Sequence, residues 1–130
     1  MMNTYLIAAA VLAFIVGLVH SVLGEVMVFS RMRQGLIVPT NGGSVLQQRH
    51  VRILWASWHV LTVFGWSFAA VLFLLSSEPS AEPLRVSLLQ AVAVAMLFGS
   101  FLVLYGTKAR HPGWLGLLGV SVLTWLGSGS

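Results

Sequence analysis

The sequence predicts an all-α integral membrane protein: a four-helix bundle of antiparallel up-down topology with both termini on the non-cytoplasmic side. Three observations predict it. Of the 130 residues, 58% are hydrophobic and only 8% charged, and the mean hydropathy is +0.92, whereas charged residues make up about a quarter of a soluble domain. The apolar residues gather into four runs, of the order of the roughly 20 residues a helix needs to cross a bilayer. Finally, Arg31, Arg33, Arg49, Arg52, Lys108 and Arg110 fall on one side of those runs and Arg85 near the other. Cytoplasmic loops carry the excess of basic residues, so the first side is the cytoplasmic one.

The first run, Thr4 to Phe29, is too long and too weakly charged at its start for a cleaved signal peptide. Within it Ala10, Ala13, Gly17, His20 and Gly24 recur at helical spacing, a stripe of small residues that lets another helix approach closely. Ser30 to Gly43 is a polar, arginine-bearing loop broken by Gly35, Pro39 and Asn41-Gly42-Gly43, with Gly35 to Val38 expected at the membrane surface. Ser44 and Gln47 have the spacing of a capping box, which starts the second helix at Ser44 and carries it to about Leu75. After a loop with Glu78, Pro79 and Glu82, Pro83 opens a third span over 84–105, whose Ser87, Ala91, Ala95 and Gly99 form a second small ladder. Gly106 and a basic turn precede a fourth, glycine-rich span over 113–127, anchored by Trp114 and Trp125. Residues 1–127 read as one four-span domain, and 128–130 as a linker or tag remnant.

Composition excludes several functions. No cysteine means no disulfide, thiolate nucleophile or cysteine-held cluster, and the lack of aspartate leaves three glutamates as the whole acidic complement. The net charge of +4 comes with no basic helix or RNA-binding motif, so topology rather than nucleic acid accounts for it. A serine nucleophile is not excluded but has the weakest signal, with no GxSxG turn and no aspartate to support it.

The polar residues at membrane depth carry the functional reading. Arg52, Trp55, His59, Thr62 and Trp66 are spaced 3, 4, 3, 4 and share one helix face. Such groups are tolerated in a bilayer only against protein, water or ligand. His20 lies about 13 Å inside Phe29, and His59 about 15 Å beyond Arg49, so the two histidines reach similar depth. Paired imidazoles would suit the axial positions of a b-type haem or a divalent metal, and one imidazole beside Trp55 or Trp66 would suit a quinone carbonyl. Glu25 is expected to pair with Arg52, or alternatively with Arg49, as a structural ion pair. The plainer reading is that both histidines make interhelical hydrogen bonds and the tryptophans pack. His50 and His111, in basic interfacial segments, are expected to be solvated.

His20-Ser21-Val22-Leu23-Gly24-Glu25, followed by Arg52 and Trp58-His59, resembles the pattern of small uncharacterised bacterial four-span inner-membrane proteins. The resemblance covers the first two spans, about half the chain. It implies that His20, Glu25, Arg52 and His59 act as a unit, and it transfers no reaction. Motifs of the small multidrug exporters and of the membrane glutathione-handling enzymes are missing. Two classes of function follow. The first is an intramembrane binding site for an apolar or redox ligand, such as a haem, quinone or lipid-like molecule. The second is a non-catalytic homo-oligomer or accessory subunit of a larger membrane complex, built on the third span's ladder. A small proton-coupled transporter using Glu25 is a further alternative.

Overall fold

The computed structural model describes residues 2–77 and 82–129. Among them the secondary structure is helical, with no strand: α1 (Thr4–Met27), α2 (Gln48–Leu75), α3 (Pro83–Gly106) and α4 (Gly113–Ser128), with a 3-10 turn at Phe29–Met32. Thr4–Met32, Gln48–Leu75 and Pro83–Gly106 are long and apolar enough to cross a membrane, consistent with an integral membrane protein. A helix suits that role because every backbone polar group outside its ends is satisfied within the segment. The fourth predicted span is a shorter object. α4 has 16 residues, about 24 Å of helix, against a hydrocarbon core of about 30 Å.

Several boundaries differ from those the sequence predicts, and α1 ends at Met27, before Phe29, which opens the 3-10 turn. α2 begins at Gln48 rather than Ser44. Gly43 sits at φ +64°, its N–H donates to Asn41 Oδ1 at 3.1 Å, and Leu46 N–H donates to Gly42 O at 3.2 Å. This tight turn takes up the residues of the expected capping box. At the other end, α4 extends through Ser128, so the first residue of the expected linker is helical and buried. Glu78 and Pro79 lie outside the described residues.

The chain divides into two compact units, Met1–Val16 with Gly65–Ser130, and Gly17–Phe64. In the first, Leu6, Ala9, Ala10 and Ala13 of α1 bury against Ala69 and Leu72 of α2, Leu89 and Val92 of α3, and Val120 of α4. Lipid is as apolar as these side chains, so close packing and hydrogen bonds, rather than exclusion from water, hold such a core. Small residues make the approach possible: a Cβ at Gly127 would run into Leu6, and one at Gly116 into Val16. Ser100 Oγ donates to Trp114 O at 2.8 Å, and Ser121 Oγ to Ala93 O at 2.7 Å, tying α3 to α4.

Arg85, expected only as a lone charge on the non-cytoplasmic side, is 3% exposed. Its Nε donates to Leu75 O at 3.2 Å and its Nη2 to Gly127 O at 3.5 Å. Asn3 joins the same end, its side-chain amide donating to Gly127 O at 3.0 Å and its N–H to Ser76 O at 2.7 Å. The last carbonyls of a helix have no intrahelical partner and carry the negative end of its dipole. One guanidinium therefore caps the ends of α2 and α4.

In the second unit, the end of α1 from Gly17, the connecting loop and the start of α2 fold together around Phe29 and Val51. Met32 O accepts from both Thr40 N and Asn41 N, at 3.1 and 2.9 Å, which closes the loop onto the turn following α1. Leu36 and Ile37 are exposed.

Candidate functional site

Within Gly17–Phe64, the polar side chains collect around Glu25. A spacing of four, close to one 3.6-residue turn, sets Ser21 and Glu25 one above the other on α1, and the imidazole of His59, from α2, lies against both. Ser21 Oγ lies 2.5 Å from His59 Nδ1, and His59 Nε2 lies 3.4 Å from Glu25 Oε2. The same carboxylate oxygen accepts from Trp55 Nε1 at 3.2 Å. The other, Oε1, pairs with the Arg33 guanidinium. Glu25 is thus held by three donors, from α2 and from the loop.

Aromatic rings form the wall of the cluster. His20 lies flat on the Trp58 indole, with ring centres 4.4 Å apart and planes 6° from parallel. Trp58 Nε1 donates to His20 O at 3.0 Å. Gly24 makes room for this arrangement, since a Cβ there would run into the Trp58 indole. Phe29 meets Trp58 edge-on, and Trp55 stands edge-on to His59, centres 5.0 Å apart. Edge-to-face pairs of this kind fix ring orientation as well as contributing contact.

The expected site is reached in part. His59, Trp55 and Glu25 come together, and Thr62 is buried, its Oγ1 making no hydrogen bond among the described residues. Trp66 belongs to the other unit, where it stacks on Phe14 at 5.3 Å and donates to Phe14 O at 3.2 Å. The ion pair is corrected: Arg33, not Arg52 or Arg49, pairs with Glu25, and both of the expected arginines are exposed. The loop's closure onto Met32 returns Arg33 towards α1, so a residue only eight positions from Glu25 forms the pair. His50 and His111 are exposed, as expected. Ser21, Arg33, Trp58 and Phe29 are site residues that periodicity did not select; Ser21 had a visible signal in its i, i+4 relation to Glu25.

As arranged here, His59 is engaged on both ring nitrogens. Ligation of haem or a bare metal by His59 would have to displace a partner, since each nitrogen faces one, Ser21 and Glu25. Among the described residues, no three histidine or glutamate side chains group as a metal site.

The arrangement has a definite electrostatic sense. An ionised carboxylate only accepts hydrogen bonds, so a singly protonated His59 carries its proton on Nε2, facing Glu25. Nδ1 then presents its lone pair to the Ser21 hydroxyl. His59, Glu25 and Arg33 keep side-chain exposures of 28%, 31% and 29%, so the cluster is open on one side. Val22 and Val26, beside it on α1, are exposed. No protein-family model, curated protein or solved structure matches the chain.

Proposed function

We propose that the protein is a multi-pass protein of the bacterial inner membrane that binds an amphiphile, with the polar head at Glu25, His59 and Arg33. The supporting observation is a partly exposed, hydrogen-bonded ionic cluster beside the exposed apolar surface of Val22 and Val26. Ionisable groups at membrane depth are kept where they meet protein, water or ligand. Arg33 has five N–H donors in a planar fork and uses Nη2 on Glu25. The remainder suits a carboxylate, phosphate or carbonyl head, and so favours lipid-like and quinone-like molecules. An up-down topology with Arg31, Arg33, Arg49 and Arg52 on the cytoplasmic side, as the basic residues suggest, would put this head near the cytoplasmic interface.

Trp55 and Trp58 sit in the cluster and report binding directly. Titrating the detergent-solubilised protein with oleate and with decylubiquinone is expected to change tryptophan emission saturably for one of them. Arg33→Gln and His59→Ala should each weaken that binding about tenfold or more, the loss of one charge-assisted contact. Equal affinity in both variants overturns the reading.

A second role is compatible with the first. Ser87, Ala91 and Ala95 of the α3 ladder are exposed, as a face reserved for close helix contact would be. We infer self-association through this face.

A further inference from the structure

We propose that Ser21 is a nucleophile, with His59 as its general base, and that the site acts on the ester carbonyl of an acyl lipid. This rests on the amphiphile reading and adds chemistry to it. Three observations carry it. First, Ser21 does not make the bond that other serines here make. The hydroxyls of Ser30, Ser76, Ser87 and Ser128 donate to carbonyls within their own segment, and those of Ser100 and Ser121 to a neighbouring helix. Ser21 Oγ instead lies 2.5 Å from an imidazole nitrogen, although a helical serine has a carbonyl one turn back within reach.

Second, the imidazole is oriented. Glu25 Oε2 lies 3.4 Å from Nε2, and with the ring proton on that nitrogen Nδ1 is the basic nitrogen towards Ser21. Glu25 is itself fixed by Arg33 and Trp55. A nucleophile within reach of a base, and a base oriented by a third group, is the geometric signature of an activated hydroxyl on any fold. The chain order and the choice of ring nitrogen need not match those of soluble hydrolases. Third, Ser21 is half-buried and His59 is 28% exposed, so neither is closed off from a ligand, and Val22 next to Ser21 is exposed apolar surface.

The reaction balances with water as co-substrate. Ser21 Oγ adds to the ester carbonyl while its proton passes to His59 Nδ1. The bond from the acyl carbon to the alcohol oxygen breaks, and the departing alcohol takes the proton from Nδ1. Water then attacks the acyl-serine through the same base, releasing the fatty acid and restoring Ser21. Glu25 is a positioning residue that holds the tautomer.

The test uses the full chain in mild detergent with a long-chain alkyl fluorophosphonate, and locates the adduct by peptide mass spectrometry. An adduct on Ser21 is expected, absent in Ser21→Ala, and formed at least tenfold more slowly in His59→Gln. Ser57→Ala, an exposed serine on α2 outside the cluster, should label like the unaltered protein. Glu25→Ala should also slow labelling, with part of the rate recovered in Glu25→Asp. No adduct on Ser21 in protein that still binds oleate or decylubiquinone overturns the nucleophile and leaves the binding site standing. Equal labelling in His59→Gln overturns the relay, and loss of both binding and labelling overturns both readings.

Discussion

Glu25 and Arg85 are both charged residues of an apolar chain, and their surroundings predict different energetics. The Glu25 to Arg33 pair keeps roughly a third of each side chain exposed, and partly solvated ion pairs contribute about 0–1 kcal/mol. A double-mutant cycle over Glu25→Gln and Arg33→Gln, read by thermal unfolding in detergent, should therefore give a coupling below about 1 kcal/mol. Arg85 is 3% exposed and caps two helix ends. Arg85→Leu leaves the Leu75 carbonyl without its guanidinium donor, and should cost about 2–3 kcal/mol by the same assay. Comparable losses from the two sites would show that the caps are not what stabilises that end. Helical periodicity made His59, Trp55 and Thr62 legible as one face, because face membership depends only on spacing. Which cation reaches Glu25 was not legible. That choice depends on how the loop closes onto Met32, and a nearby loop arginine displaced the expected helical ones.

At the scale of elements, the turn joining α3 to α4 holds local strain. Lys108 and Ala109 lie at φ 50° and 63°, a region where a side chain costs about 1–2 kcal/mol. Ala109 N–H donates to Leu104 O at 2.8 Å and Thr107 N–H to Val103 O at 3.0 Å, so the conformation satisfies the last carbonyls of α3. Ala109→Gly removes the steric cost but adds freedom to the unfolded chain. The net expectation is a gain of about 0.5–1 kcal/mol, visible as a raised midpoint of unfolding. An unchanged or lowered midpoint counts against strain at this position. Gly24 has the opposite sense: Gly24→Leu would drive Trp58 off His20 and should shift tryptophan emission. Element identity was readable because long apolar runs have only the helix available to them in lipid. The start of α2 was not, since the turn built by Asn41, Gly42 and Gly43 competes with a capping box that is equally good in sequence.

For the whole molecule, the question is what meets the outward face of α3. Ala95 is exposed and Gly99 is half-buried, its Cα side 3.6 Å from a Leu117 methyl for an added Cβ. The ladder therefore begins at the α4 contact and continues outward through Ala95, Ala91 and Ser87. Helices in a bilayer gain nothing from hiding leucine from lipid, so association depends on backbones coming close, which small residues permit. Large side chains at Leu84, Phe98 and Leu102 are also exposed on α3, and lipid alone would accept them anywhere. Small residues at every fourth position have no such advantage against lipid. Cross-linking in vesicles is expected to trap a dimer of the unaltered chain. Ala95→Leu should weaken association at least tenfold, with thermal stability within about 0.5 kcal/mol because the side chain faces outward. A chain that stays monomeric in vesicles at every protein-to-lipid ratio would remove self-association as the explanation of the ladder. A dimer unaffected by Ala95→Leu would move the contact to another face, and either result leaves the Glu25 cluster to be judged by its own chemistry.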